Sequence, residues 1–532
     1  MKKLNILALF TAVCLTSCDP LGIEPTTEVF EDQFWSNAQL SRTFVNQFYL
    51  WAPAGANQAF QAEQWSDNAC GNINRDQSTF RQYDYNYRQY DEMNSVGVVG
   101  APWGDGYKRI RQANMAIERI PDVPNMTDQE RNQLLAESYA FRGLFYADME
   151  RYWGIMPIIT NTMTIFDETM LPQNGREEVF DQILSDYDKS LELFKQITTK
   201  PTLGLLNVDA VQVLKSRTAL AAACAAEASA KGLYDKLSGS AESKALYKFT
   251  KDAKHYYQMA YDAAKSVIGK YALEPNYADL FNKPNTHTSV ESIWPIMFNE
   301  ANRSGFNPGN YSHPVSWAKM YGGTTDFNPD WEGGRGGAYP TQDLVDCYYQ
   351  KDKVTGKWMQ WWKTTQSQEL GVTKNAQGQF TATSENYLNM YADRDKRFYA
   401  TILYDSTYFG GVENERYLIR TWIDFSEPTK TEKYSSLGTY YHHTEKLDIT
   451  GAAQSTVTSY YAAKYTIGRF NENGTVNYTQ SSSCYFMVRY AEALLNYAEA
   501  AYKLGGKENE VTDAVNQIRN RAGLDNFDAS AV

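Results

Sequence analysis

A chain of 532 residues with 51 basic and 63 acidic side chains carries a formal charge of −12 at pH 7. No basic block interrupts that balance, which argues against nucleic acid and against broad attraction to anionic lipid. Aromatic residues reach 14%, with 39 Tyr, 24 Phe and 12 Trp, a surplus of rings with a flat apolar face and, in Tyr and Trp, a polar edge.

The N-terminus reads as an export signal. Lys2 and Lys3 precede an apolar run over residues 4–13 that only Asn5 and Thr11 interrupt. The run is shorter than the ~20 residues needed to span a bilayer, so it directs export rather than anchoring. Leu15-Thr16-Ser17-Cys18 is the pattern at which a bacterial lipoprotein is cut and acylated, making residues 1–17 a signal peptide and Cys18 the lipidated residue. Its removal takes away two lysines, leaving 49 basic against 63 acidic groups, or −14. Each buried methylene contributes roughly 0.8 kcal/mol, so more than one acyl chain gives durable attachment.

Residues 18–28 form a Pro-containing tether, and 29–532 are expected to make one domain. Spacing at Phe34, Leu40, Phe44, Phe48 and Trp51 predicts a first helix over 30–50. Residues 52–102 are rich in Gln, Asn, Asp, Tyr and Gly without a period, and such long irregular segments are uncommon unless functional. A helix over 107–120 then ends at Pro121, and Thr127-Asp128-Gln129-Glu130 is a capping box that opens the next. Leu134, Ser138, Phe141, Phe145, Met149 and Tyr152 hold one face of that helix until Gly154 and Pro157 stop it. Further helices are predicted over 177–194, 208–233 and 248–268, the second alanine-rich enough for close neighbours. Residues 272–480 are loop-rich, with Gly clusters and short strands expected over 398–404 and 417–423. Helices return over 485–504, closed by Gly505-Gly506, and over 508–522.

The fold class is therefore mainly α: tetratricopeptide-like helical pairs at 29–271 and 485–532 as scaffold, around a large loop-rich insertion with short strands at 272–484. Cys224 lies in an alanine run and reads as a small buried hydrophobe. Cys70, Cys347 and Cys484 show no metal-ligand spacing; a Cys347–Cys484 disulfide is compatible with an extracytoplasmic chain, though spacing does not fix the pairing.

Short strings along the helices carry a resemblance. Leu135 to Tyr146 contains Glu137, Arg142 and Tyr146, and Arg151-Tyr152-Trp153-Gly154-Ile155-Met156-Pro157 follows. Later come Arg176 to Ile183 with Asp186, Tyr277 to Phe281, and Glu291-Ser292-Ile293-Trp294. Pro340 to Asp346, Asp393 to Phe398, Arg489 to Leu495 and Asn516 to Leu524 complete the series. In this order, behind a lipidation motif, they resemble SusD/RagB-like outer-membrane lipoproteins. The resemblance implies a protein that takes up a glycan outside the cell and passes it to a TonB-dependent transporter partner in the outer membrane. It also implies a further segment with a Glu-Leu, Glu-Gly, Arg pattern, which does not occur before Val532. Spacings such as Glu137 with Arg142, or Arg489 with Glu492, read as packing and ion-pair residues rather than ligands.

Ligand contacts must then come from loops. A sugar ring wants an aromatic platform beside planar hydrogen-bonding groups. Residues 65–103 supply Trp65, Asp67, Asn68 and Arg81, with Tyr83, Tyr85 and Tyr87 alternating so that an extended backbone puts them on one side. Residues 299–331 supply Asn310, Tyr311, Trp317, Tyr321 and Trp331 among Gly and Pro. Trp358, Trp361 and Trp362 are a third group, readable equally as a hairpin or a transporter contact. For any single ring the competing reading is a pin holding a loop to the helices.

A glycoside hydrolase needs two carboxylates flanking the bond, but among 63 acidic residues such pairs carry no information. No H-E-x-x-H, G-x-S-x-G, P-loop or dinucleotide motif occurs, and no cofactor or metal site is expected. His442-His443 reads as a polar loop, and Asp393-Arg394-Asp395 as a structural ion pair rather than a calcium site. The remaining alternative is a helical-repeat scaffold that binds peptide or protein.

Overall fold

The computed structural model describes residues 31–52, 67–71, 103–164, 166–199, 202–283, 286–297, 338–369, 387–404 and 484–531, with shorter stretches between 373 and 464. Among the described residues eight long helices stack in chain order: α1 (Ala38–Trp51), α2 (Trp103–Arg119), α3 (Asp128–Trp153), α4 (Arg176–Phe194), α5 (Val208–Ala230), α6 (Ala253–Lys265), α7 (Tyr490–Leu504) and α8 (Glu508–Ala522). From α2 onward each packs on the next, and α1 lies against α2 and α3. Neighbours run antiparallel: Glu150 near the end of α3 meets Arg176 at the start of α4, while Gln129 at the start of α3 reaches the Gln196 carbonyl beyond α4. This is the tetratricopeptide-like arrangement expected from the helix pairs.

Local chemistry sets the helix ends. The capping box forms as read, Thr127 Oγ1 accepting from Glu130 N at 3.3 Å and Glu130 Oε2 accepting from Thr127 N at 3.0 Å. Gly154, at φ 68, then closes α3. The single helix expected over 30–50 is instead a 3₁₀ turn, Glu31–Trp35, followed by α1, because Asn37 Oδ1 accepts from Leu40 N and starts a new helix. The helix expected over 208–233 stops at Ala230, before left-handed Gly232. The one expected over 248–268 begins at Ala253, where Asp252 supplies the cap, and ends at Lys265.

Two secondary-structure expectations fail. Residues 485–489 form a strand rather than the first turn of α7, with Phe486 and Val488 buried and their neighbours half-buried. That alternation is a strand period, and the apolar run continuing into α7 hides it in the sequence. Residues 396–401 form a short helix capped by the Asp395 carboxylate, so only Ile402–Leu403 of the expected strand over 398–404 is extended. Tyr417–Leu418 is a strand, and 419–423 lie outside the described residues.

Strands β1 (Ala69–Gly71), β2 (Ser292–Ile296), β3 (Ala338–Pro340), β4 (Gln350–Lys351), β5 (Trp358–Met359), β6 (Ile402–Leu403), β7 (Tyr461–Ala462) and β8 (Tyr485–Arg489) pair two by two. β2 and β8 close the insertion, antiparallel with a bulge between Phe486 and Arg489. One core runs from Trp35 to Ala529, joining the first six helices to α7 and α8, with β2 and β8 packed into it. A second, smaller core inside the insertion holds Val345, Tyr391, Phe398, Ile402 and Tyr460.

Long-range ion pairs tie the elements together. Arg142 donates to both oxygens of Asp186 at 2.9 and 2.6 Å, Arg42 meets Glu137 at 2.5 Å, and Arg217 meets Glu492 at 2.5 Å. Glu291, fully buried, holds Arg489 on one oxygen and Arg521 on the other, each at 2.5 Å. The shared strings are thus packing and ion-pair residues, though Arg489 and Glu492 bind different partners.

Cys224 is exposed, against the expectation of a buried residue: it takes the outer face of α5 while Ala222, Ala223, Ala225 and Ala226 take the inner one. Cys347 and Cys484 are both free, the first exposed and the second buried beside Thr286, so the pairing left open in the sequence is not made. Among the described residues no helix is long and apolar enough to cross a membrane, and no cluster of His, Cys, Asp or Glu could hold a metal ion.

Candidate ligand-binding face

The insertion is built on a small aromatic module. Tyr391 and Tyr404 pack tilted with ring centroids 4.4 Å apart, and Phe398 stacks on Tyr404 at 5.1 Å. Tyr460 donates to Gln342 Oε1 at 2.9 Å and faces the Tyr391 hydroxyl at 3.3 Å. Arg394, almost fully buried, lies 4.9 Å from the Phe398 ring and donates to the Met390 carbonyl at 2.8 Å and to the Val345 carbonyl. Burial pushes its guanidinium down to about 10, and Asp346 and nearby phenols only partly counter this. Asp395 caps the 396–401 helix and pairs with Arg397, the ion-pair reading of this string.

A strand pair fastens the first aromatic segment to this module. In β1–β3, Ala69 pairs with Pro340, Cys70 with Tyr339 and Gly71 with Ala338. At one end, Thr341 N donates to the Asn68 carbonyl at 3.0 Å, and the Thr341 hydroxyl bonds to the Asp67 carbonyl. Asp67 and Asn68 occupy the turn before β1 and are exposed. At the other end, the chain continues past Gly71 into 72–102 and arrives at Ala338 from 298–337. Residues 72–102 and 298–337 therefore connect to the same end of one two-stranded sheet, whereas Asp67 and Asn68 lie at the other.

Of the residues singled out in the sequence, only Asp67 and Asn68 fall in this framework. Trp65, Arg81, Tyr83, Tyr85, Asn310, Tyr311, Trp317, Tyr321 and Trp331 lie outside the described residues, as does Cys18. Within the third tryptophan group a hairpin forms at Trp358. Trp358 sits in the β4–β5 pair, while Trp361 is buried and donates from Nε1 to Asp346 Oδ1 at 2.7 Å.

Several exposed rings among the described residues were not singled out as ligand contacts in the sequence, Trp103, Tyr349 and Tyr399 among them. Trp103 is 37% exposed at the start of α2, packed edge-on against Trp153 at 5.3 Å. Tyr349 and Tyr399 are 37% and 43% exposed on the insertion module, the Tyr399 hydroxyl held by the Tyr391 carbonyl at 2.7 Å. Tyr399 adjoins the buried Phe398 ring at 5.3 Å.

Two family profiles match the chain. One, described as starch-binding associating with outer membrane, spans residues 28–220, and the other, the SusD family, spans 290–532. The chain is a SusD/RagB-like protein. Among its relatives, SusD-like protein P38 of Formosa agariphila is 26% identical over 227 residues, covering 39% of this chain and 41% of that protein. SusD-like protein P25 of the same organism is 21% identical over 243 residues, 44% of this chain and 40% of its own length. The match thus spans about two-fifths of each relative. A SusD-like protein from Bacteroides fragilis NCTC 9343 superposes with a TM-score of 0.63 at 22% identity, over 96% of this chain and 84% of that one. A laminarin-binding SusD-like protein superposes at 0.52 and 16% identity, over 93% and 86%. At such identities the SusD-like chain shares a fold with these structures.

Proposed function

We propose that this protein is a non-catalytic, lipid-anchored receptor of the outer-membrane surface. It binds an oligo- or polysaccharide and delivers it to a TonB-dependent transporter partner. Residues 29–532 act as one unit, the helical pairs facing the core and the transporter and the insertion facing the ligand. The observation that supports this reading is the β1–β3 pair, from one end of which the chain runs into 72–102 and 298–337. Family membership supports it, since one matching profile is named for starch binding and outer-membrane association. Trp65, Asp67, Asn68, Arg81, Tyr83 and Tyr85 from the first segment, and Asn310, Tyr311, Trp317, Tyr321 and Trp331 from the second, are the proposed contacts.

A ring covering about 50 Å² of sugar gains on the order of 1 kcal/mol, so single sites are weak and capture of a polymer gains from repetition. Native affinity electrophoresis of the mature chain against a panel of soluble polysaccharides tests the reading. Retardation by one class, lost in Trp65→Ala or Trp331→Ala, is the expected result. A folded protein retarded by none would shift the cargo to peptide.

A further inference from the structure

The insertion module carries a small sheet with one outward face. Residues 349–351 run between two antiparallel neighbours. On one side Lys351 pairs with Trp358 in β4–β5. On the other, Gln350 bridges Arg394, with Lys351 N donating to the Asp393 carbonyl and Asp395 N to the Tyr349 carbonyl, each at 2.8 Å. Gln350 and Arg394 are buried in the module. Alternation then puts Tyr349, Lys351 and Trp358 together on the opposite face. There Tyr349 and Lys351 are exposed and Trp358 is half-buried, its ring centre 6.0 Å from Lys351 Nζ.

Asp393 and Tyr399 adjoin this face at the turn over 391–395. Asp393 is exposed and holds φ 49, a left-handed conformation that aspartate tolerates better than most residues. Gln350 Nε2 pins that turn, donating to the Asn389 and Ala392 carbonyls at 2.8 and 2.7 Å. The Tyr399 hydroxyl donates to the Tyr391 carbonyl at 2.7 Å and accepts from Arg394 N at 3.0 Å, which fixes its exposed ring beside Asp393. Among the described residues neither the Asp393 carboxylate nor the Lys351 ammonium makes a hydrogen bond or an ion pair.

A ring already held at its hydroxyl loses little freedom when a ligand lies on it. Sugar C–H groups stack on such a ring, while sugar hydroxyls donate to a carboxylate and accept from an ammonium. Strands lie about 4.8 Å apart, so the row from Trp358 to Asp393 spans about 10 Å, the length of a short oligosaccharide. Two charges at its centre suit a hydroxylated chain better than the apolar core of a protein contact.

We propose that this face is a second saccharide-contact surface. Tyr349 and Tyr399 are its platforms, Asp393 its acceptor and Lys351 its donor, and it holds a further stretch of a bound polysaccharide. The inference rests on the glycan-binding reading and adds avidity to it.

The test compares the mature chain with Tyr349→Ala, Tyr349→Phe and Asp393→Asn by affinity electrophoresis in soluble starch, in a mixed-linkage β-glucan and in alginate, each read against a polymer-free gel. A polymer that retards the parent should bind about fivefold more weakly to Tyr349→Ala, the loss of one ring contact. Asp393→Asn should weaken it similarly through a lost charge-assisted hydrogen bond, and Tyr349→Phe should stay near the parent. Thermal melts establish that each variant is folded, and Asp393→Asn carries the comparison if Tyr349→Ala unfolds. Equal retardation of the parent and both weakened variants overturns the inference and leaves the glycan reading standing. Equal loss in Tyr349→Phe and Tyr349→Ala overturns the platform role. A folded parent retarded by no polymer removes the glycan reading and this inference with it.

Discussion

Arg142 and Asp186 are both nearly inaccessible, and burial raises the Asp186 carboxyl despite the arginine beside it. Removing one partner of such a pair leaves the other charged and unpaired, a loss of about 3–5 kcal/mol. Arg142→Met should therefore lower the urea midpoint strongly, and Arg142→Met with Asp186→Leu should recover much of it. A single-variant loss under about 1 kcal/mol would contradict the pairing. Glu227 gives the opposite sign. Hydrogen bonds from Lys503 at 2.9 Å and Tyr257 at 2.8 Å hold its carboxyl down to about 2. A carboxyl lowered in the folded state stabilises above its unfolded value of about 4.3, and that contribution fades as pH falls toward 2. Acid unfolding curves should consequently be flatter between about pH 5 and 2 in Glu227→Gln than in the parent, and identical slopes would refute the assignment. At this scale the sequence named the right types but not their partners. Glu137 and Arg142 stand five apart on one helix, yet they reach Arg42 and Asp186 on two different helices. Only the packed fold brings such distant positions together.

Elements with a local signal were legible, and those defined by a distant partner were not. Thr127 and Glu130 bond each other three residues apart, so the start of α3 could be read directly. Thr127→Ala should cost about 1 kcal/mol, measurable as a shifted denaturation midpoint. Gly143 teaches the reverse. In an exposed helix Ala would gain up to 1 kcal/mol over Gly, but a Cβ at 143 would stand 3.0 Å from the buried Tyr187 ring and 3.3 Å from the Ile183 carbonyl of α4. Gly143→Ala should destabilise by about 1–2 kcal/mol as overpacking outweighs propensity; a stabilised variant would mean that α3 and α4 can part without cost. β8 was misread because its five residues run without a turn into α7, and only Ser292–Ile296, far away in sequence, makes them a strand. Likewise Phe398 belongs to an apolar run that could serve either period, and the Asp395 cap decided for helix.

Across the whole molecule, the helical order and the place of the insertion were readable from periodicity and the shared strings together. What escaped was how the two parts are fastened. Glu291 lies just before β2 and takes Arg489 from β8 and Arg521 from α8, so one carboxylate binds both ends of the insertion to the last helix. Glu291→Ala should remove the shared carboxylate from Arg489 and Arg521, lower stability by several kcal/mol, and expose the region after Leu504 to limited proteolysis first. Cleavage that instead begins within the first helices would show that the clasp does not govern the closing elements. For the proposed ligand face, loop composition pointed to two aromatic segments, while the pairing of 69–71 with 338–340 between them has no signature in either.

The β2–β8 pair has a consequence for how such a protein can change. It joins Ile296 to Tyr485 and so lets the scaffold close over whatever lies between them. The entropy of closing a flexible loop grows only with the logarithm of its length, roughly 0.6 kcal/mol per doubling. Residues can then be added to or removed from the interval at a cost the scaffold barely registers. Selection could rewrite the insertion almost freely while leaving the helices and their ion pairs untouched.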